Sequence, residues 1–139
     1  HAEFSLKYGS DLRGVDLASL NVLRKPDVAK RLATRTVTRT LNGSIKELLK
    51  GVADDAGLTL ELPEATPAWF DRPGRVRAGV SIVDALDAVL EGEALLPQYR
   101  HSMAPVAPPL EPVSCVLEDD RVRILPSRQA LVVWQEWAM

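Results

Sequence analysis

Cysteine is almost absent from this chain of 139 residues, because Cys115 is the only one. A lone cysteine cannot form an internal disulfide. The residues on either side of Cys115 alternate in the manner of a β-strand, which favours a small buried side chain over a reactive thiol.

Long apolar runs and an excess of one charge are also missing. The longest runs, such as residues 130–134, fall far short of the roughly 20 residues that a membrane crossing needs, so we predict no membrane insertion. Seventeen basic and 19 acidic residues leave a net charge of -2. This balance gives no long-range attraction to phosphates or anionic lipid, and we predict no nucleic-acid partner.

Few residues suggest catalysis or metal binding. His1 and His101 have no cysteine or acidic residue at metal-ligand spacing, and no phosphate-loop, dinucleotide or serine-hydrolase glycine motif occurs. Carboxylates that could form an acid/base pair are Asp54, Asp55, Asp84 and Asp87. Such side chains on an exposed helix face are usually solvated charge, favoured in the first turn by the helix dipole. We therefore predict no catalytic residue, no metal, no cofactor and no enzymatic activity.

Two copies of a capped amphipathic helix organise the middle of the sequence. Ser44 with Glu47 forms a capping-box pattern, and Ser81 with Asp84 repeats it 37 positions later. The apolar residues of the first copy share one stripe between 45 and 56, and Gly57 suits a left-handed helix end. The second copy repeats this stripe from Ile82 onwards. Two helices packed against strands are therefore predicted.

Alternating and β-branched segments predict the strands of the fold. Asn42-Gly43 is expected to end the first strand, Pro63 to end the second, and Val76, Ala78 and Val80 to point inward from the third. The predicted strands are 34–41, 58–62, 75–80, 98–102 and a C-terminal hairpin of 114–117 with 121–125. Together with the helices they predict an α+β fold with a βαββαβ-like core on small mixed sheets.

Both ends of the chain differ from this core. Residues 1–16 suggest an extended arm or short strand, and residues 16–33 suggest two short helices, the second beginning near Pro26. Prolines make residues 103–112 an extended loop, while residues 131–137 fit either a strand or a helix. We predict a helical N-terminal extension over 1–33, a domain over 34–128 and a tail over 129–139.

Exposed arginines and loop aromatics are the candidate partner-binding residues. On strands, Arg35 with Arg39 and Arg75 with Arg77 would each project as a pair from one sheet face, which is a solvated face, a protein-docking surface or a nucleic-acid surface. Tryptophans in loops either pack against the core or anchor a partner. The residues assigned to partner binding are Trp69, Phe70, Arg72, Arg75 and Arg77.

Four segments carry a resemblance to a known family: residues 44–49 (SIKELL), 56–58 (AGL), 76–90 (VRAGVSIVDALDAVL) and 121–125 (RVRIL). With the order strand, helix, strand, strand, helix, strand and a final hairpin, they resemble the short N-terminal domain of secretins and TonB-linked transporters. The resemblance covers about residues 36–125. It rests on hydrophobic patterns and caps.

The resemblance implies a function that composition does not show. Domains of this family are docking modules in the periplasm of diderm bacteria, so it implies a non-enzymatic protein-interaction domain of an outer-membrane secretion channel or a TonB-linked signalling system. The partner would be another envelope protein or a second copy in a homo-oligomer. A small-molecule-binding sensor domain is the alternative, since two-helix α+β folds also hold metabolites.

Overall fold

The chain has an α+β fold, and the computed structural model describes residues 21–99 and 113–138. Its elements in chain order are β1 (Val22–Arg24), α1 (Pro26–Leu32), β2 (Leu41–Ser44), α2 (Ile45–Ala56), β3 (Thr59–Glu61), a 3-10 helix (Ala68–Asp71), β4 (Pro73–Val76), α3 (Ile82–Leu90), β5 (Val113–Leu117), β6 (Arg121–Pro126) and α4 (Ser127–Ala138).

Two separate sheets flank the central helices. A mixed four-stranded sheet has the order β1-β5-β6-β3, and β2 pairs antiparallel with β4 in a two-stranded sheet. Helix α2 contacts strands of both sheets and packs on α3, which lies against β1 and β5. The main core fills the space between these layers.

Helix α4 covers the other face of the four-stranded sheet. Because successive strand residues point to opposite faces, Cys115 and Leu117 join the main core while Val116 points away from it. Val116 packs with Ala130 and Trp134 of α4 in a second cluster. This packing decides that residues 131–137 are helical, because it buries one stripe of the helix.

Helix α2 has the predicted bounds and the predicted caps. The Ser44 hydroxyl accepts a hydrogen bond from the Glu47 N–H, and the Glu47 carboxylate accepts one from the Ser44 N–H, both at 3.2 Å. At the other end Gly57 has a φ of 72°, the left-handed conformation that glycine adopts without strain. The capping box and the glycine end are both confirmed.

Helix α3 confirms the second copy of the pattern. The Ser81 hydroxyl accepts a hydrogen bond from the Asp84 N–H at 3.1 Å. The helix ends at Leu90, and Gly92 follows with a φ of 82°. Its predicted apolar stripe is buried: Ile82, Ala85, Leu86, Val89 and Leu90.

The prediction of a strand over 34–41 is wrong, since β2 begins only at Leu41 and contains Asn42-Gly43, which was expected to end a strand. Val37 exchanges backbone hydrogen bonds with Val80 and Gly79, but the next N–H, that of Thr38, donates to the Asp55 carboxylate instead. This bond interrupts the ladder. Arg35 and Arg39 therefore do not share a strand face.

The third strand lies earlier in the sequence than predicted. β4 spans 73–76, and Ala78 with Gly79 forms a turn in which Gly79 has a φ of 88°. Val76 is buried as expected, but Ala78 is exposed and not inward-facing. By contrast, β3 and the β5–β6 hairpin confirm the predictions made for 58–62, 114–117 and 121–125.

The N-terminal part of the described chain contains a strand where a helix was predicted. β1 lies parallel to β5 in the four-stranded sheet, so the helix expected before Pro26 is wrong over residues 22–24. Pairing with β5 outweighs the local helix-like spacing of leucines, as tertiary context often does. Helix α1 does begin at Pro26.

The strand predicted over 98–102 is also not confirmed, because residues 97–99 are helical. The remaining predictions for residues 1–16, for 103–112, for His1 and for His101 lie outside the described residues.

Candidate functional site

The structure places the two loop aromatics assigned to partner binding inside the core. Trp69 and Phe70 lie on the 3-10 helix with 3% and 0% of their surface exposed. Their rings meet edge to face, with centroids 4.7 Å apart and an interplanar angle of 79°. A partner cannot reach either ring in this arrangement. Of the two alternatives for tryptophans in loops, packing against the core is the one that applies here. The buried Trp69 indole N–H has no hydrogen-bond partner among the described residues.

The arginines assigned to the same role lie near the two-stranded sheet. Arg72 is half-buried, whereas Arg75 on β4 and Arg77 directly after it are exposed. Gly74 and Val76, which alternate with Arg75 and Arg77 along the chain, are buried. Alternation therefore directs Arg75 and Arg77 away from the core. We call Arg75 and Arg77 the arginine face.

Neither arginine of this face forms an ion pair within the described part of the chain. Arg75 donates from Nε to the side-chain oxygen of Asn42 at 2.8 Å, and that acceptor is neutral. Elsewhere, Lys46 pairs with Asp71 at 3.2 Å, and Lys50 pairs with Asp54 at 2.7 Å. The arginine face is therefore a surface whose positive charge is not neutralised locally.

One edge of the two-stranded sheet is closed. The N–H of Arg75 donates to the carbonyl of Ala94 at 2.8 Å, and the N–H of Leu96 donates to the carbonyl of Pro73 at 3.2 Å. Residues 94–96 thus occupy the side of β4 that faces away from β2. Among the residues that the structure describes, β2 is therefore the edge of this sheet with backbone left to offer a partner.

The backbone of Asn42 points out of the open edge. Asn42 lies opposite Arg75 in the antiparallel register. Because Arg75 directs its N–H to Ala94 on the far side, the two residues form a pair without mutual backbone hydrogen bonds. The N–H and C=O of Asn42 therefore point away from β4, next to the arginine face.

The four-stranded sheet has a comparable opening at β3. Thr59 directs its N–H to the carbonyl of Asp120 on the β6 side, so the N–H and C=O of Leu60 point the other way. This edge is flanked by charges that already neutralise one another. Arg121 contacts Glu61 at 2.9 Å and Glu118 at 3.0 Å, and Arg123 contacts Glu118 at 2.9 Å.

The charge cluster at β3 and β6 has a structural role that can be measured. Burial raises the pKa of Glu118, but hydrogen bonds from Arg123 and Arg121 outweigh it, so this pKa lies below the usual range of a glutamate. Ionised Glu118 therefore stabilises the folded state above about pH 4, and this stabilisation is lost as pH falls through the folded-state pKa.

We expect Glu118→Gln to lower the free energy of unfolding by about 1 kcal/mol at neutral pH, because two arginines lose their charged acceptor. Urea unfolding between pH 3 and pH 7 measures this difference, which should shrink towards acid. The exposed Glu64→Gln is the matched control and should change little. A difference that stays constant with pH would contradict the role assigned to the ionised carboxylate.

The aspartates considered for catalysis serve as local supports or remain solvated. Asp55 accepts hydrogen bonds from the Thr38 N–H at 3.0 Å and the Thr38 hydroxyl at 2.9 Å. Asp87 accepts from the Asn21 side chain at 3.0 Å, and Asp84 is exposed. In the part of the chain that the structure describes, no three His, Cys, Asp or Glu residues come together to hold a metal.

Two further groups have shifted ionisation without a surrounding site. The charge of Asp87 raises the pKa of Glu91, with burial and Glu93 adding to the effect, and the Asn21 amide donates to Glu91 at 2.9 Å. Cys115 is fully buried, and burial raises the pKa of its thiol, which agrees with a packing role.

No protein-family model, curated protein or solved structure matches this chain. Among the helices within 21–99 and 113–138, none combines the length and the apolar composition of a membrane-spanning segment.

Sequence reasoning found Arg75 and Arg77 but missed Asn42. An Asn-Gly pair before a capped helix favours a turn, and nothing in the local sequence shows that it is a strand with an open side. The decisive observation is the bond from Arg75 to Ala94, which joins residues 19 positions apart.

Proposed function

We propose that this chain is a non-enzymatic protein-interaction domain of the bacterial cell envelope. It would act in the periplasm, in an outer-membrane secretion channel or a TonB-linked signalling system, and bind another envelope protein. The observation that carries the proposal is the open edge of β2 beside the arginine face. An unpaired strand edge is a template for strand addition by a partner.

The order of elements supports the choice of family. From β2 to β6 the chain runs strand, helix, strand, strand, helix and then the β5–β6 hairpin. This matches the order on which the resemblance to the secretin and TonB-linked domains rests, except at the strand expected over 98–102, where residues 97–99 are helical. The assignment to the envelope depends on this resemblance. The docking surface depends on the contacts around β2 and β4.

The strand edges also favour β2 over β3 as the docking site. At β3 the neighbouring glutamates and arginines satisfy each other, so a partner would have to compete with existing ion pairs. At β2 the neighbouring guanidinium groups have no acidic partner in the described residues. A partner that approaches β2 therefore gains ion pairs without breaking any.

The test is site-specific photo-crosslinking in cells of the native organism. A photoreactive residue in place of the exposed Thr40, next to the open edge, should crosslink to one envelope protein in the periplasmic fraction. The same residue in place of the exposed Val132 on α4 is the control and should give no such product. A cytoplasmic location, or equal crosslinking from both positions, would contradict the proposal.

A further inference from the structure

The chemistry of the β2 edge allows the partner segment to be described, an inference that rests on the proposed function. We propose that the segment is an extended acidic peptide that adds to β2 as a third strand. It carries carboxylates on alternate residues, and these lie over the arginine face. Backbone pairing at Asn42 would fix its register, and the guanidinium groups would select its charge.

The backbone contribution of this edge is small. Within 21–99 and 113–138, Asn42 is the one residue of β2 whose N–H and C=O both point outward without a hydrogen bond, because the Ser44 N–H is used by Glu47 in the capping box. One residue can exchange at most two backbone hydrogen bonds with a partner. Side-chain contacts must therefore supply much of the affinity and nearly all of the specificity.

The two faces of the sheet would favour different side chains on the added strand. On the inner face the half-buried Leu41 packs over Gly51 of α2, where its two methyl carbons lie 2.9 and 3.0 Å from a Cβ placed on that glycine. On the outer face Asn42 and Arg75 are exposed and hydrogen-bonded to each other. Alternate residues of the partner would thus be apolar or small on one side and acidic on the other.

The spacing of the arginines fits this alternation. Arg75 and Arg77 are two residues apart, so their α-carbons are separated by about 7 Å, the same repeat as side chains on one face of a strand. Carboxylates at positions i and i+2 of the partner can each meet one guanidinium. Arginine is suited to such pairs because its planar donors can bind a carboxylate in two places.

A nucleic acid is the other anionic ligand that arginines could bind. The described residues exposed next to these arginines are Thr40, Asn42 and Ala78, and none of them is an aromatic residue on which a base could stack. The net charge of -2 also gives no long-range attraction. An acidic peptide is therefore the ligand that the surface favours.

The experiment uses the full chain and two short synthetic peptides with the same neutral hydrophilic tail. One alternates glutamate with valine, and the other has glutamine in place of every glutamate. We expect the glutamate peptide to shift the amide NMR signals of residues 40–43 and to bind at least about tenfold more tightly than the glutamine peptide. Its binding should weaken as salt is added.

Variants separate the charge from the backbone. The double variant Arg75→Ala/Arg77→Ala should weaken binding of the glutamate peptide about tenfold, while Arg128→Ala on α4 should leave it unchanged. Asn42→Pro removes the outward N–H, and Asn42→Ala retains it while losing the same contact with Arg75. We expect proline to weaken binding more than alanine, with far-UV circular dichroism used to verify that both variants fold.

Three results would overturn the inference: equal binding of the two peptides, signal shifts at residues 59–62 instead of 40–43, or binding of single-stranded DNA without binding of peptide. The proposed function is judged separately by the crosslinking result. An envelope partner crosslinked at position 40 through a neutral or basic segment would leave the proposed function standing and would refute the acidic strand.

Discussion

Phe70→Ala should lower the free energy of unfolding by about 3–5 kcal/mol. Phe70 has no exposed surface, stacks edge to face on Trp69 and belongs to the main core. Removing its ring leaves a cavity that the surrounding helix and strands can only partly fill. Chemical unfolding followed by far-UV circular dichroism measures the change.

The same variant separates the two roles considered for Phe70. As a core residue it should lose stability, and Phe70→Leu, which keeps most of the volume, should lose less than Phe70→Ala. Arg77→Ala is the control on the arginine face and should stay within about 0.5 kcal/mol of the wild-type chain. A folded Phe70→Ala protein with unchanged stability would show that the ring is not part of the core.

Gly74→Ala should destabilise the chain by about 1–3 kcal/mol through overpacking. A Cβ at this position would lie 2.5 Å from the carbonyl oxygen of Ala94 and 3.0 Å from a methyl of Leu48. The first neighbour is backbone and cannot rotate away, so β4 and residues 94–96 would have to separate. Chemical unfolding gives the stability, and hydrogen exchange of the Arg75 amide reports on the separation.

Gly79→Ala provides the contrast for this prediction. A Cβ at Gly79 would meet no atom within 4 Å, but the φ of 88° is unfavourable for alanine. We therefore expect a loss of about 1–2 kcal/mol with the Arg75 amide still protected. If Gly74→Ala also leaves the Arg75 amide protected, the close approach of β4 to Ala94 does not limit the size of the side chain at position 74.

The contact of β4 with residues 94–96 also restricts docking. The strap of residues 94–96 closes one edge of the two-stranded sheet, so within the described part of the chain β2 is the edge left for strand addition. A variant in which the strap detaches would expose β4 as a second open edge, and β4 runs antiparallel to β2. Edge protection of this kind is a common means of restricting strand addition to one place.

The helices were predictable because their signals are local. Ser44, Glu47 and Gly57 fix the two ends of α2 through bonds that span only a few residues, and the apolar stripe between them requires only the helical repeat. The same holds for α3, whose first turn is capped by Ser81. In such segments local preference and tertiary packing agree.

The strands were less predictable because their limits depend on distant residues. β1 is a strand through its pairing with β5, more than 90 positions away, and residues 38–40 leave the ladder because Asp55 takes the Thr38 N–H. No pattern within either segment contains this information. The sequence of the tail over 131–137 fits a strand and a helix equally well, and the packing of Trp134 on Val116 selects the helix.

The candidate site shows the same division. Arg75 and Arg77 were recognisable from alternating charge beside buried residues, but Trp69 and Phe70 were assigned to a partner and lie in the core. A proline-rich loop containing aromatics gives no indication of whether it turns inward. The two rings can leave water, which is favourable for apolar surface, because α2 lies next to the 3-10 helix.

By itself the sequence determined the two capped helices, the C-terminal hairpin, the near-neutral charge and the α+β class, since each follows from neighbouring residues or from composition. The tertiary structure alone decided which strand edge is open, which charges are neutralised and which aromatics are buried. These properties depend on atoms that are far apart in the chain and meet only after folding. The unpaired backbone of Asn42 beside the arginine face is of this second kind.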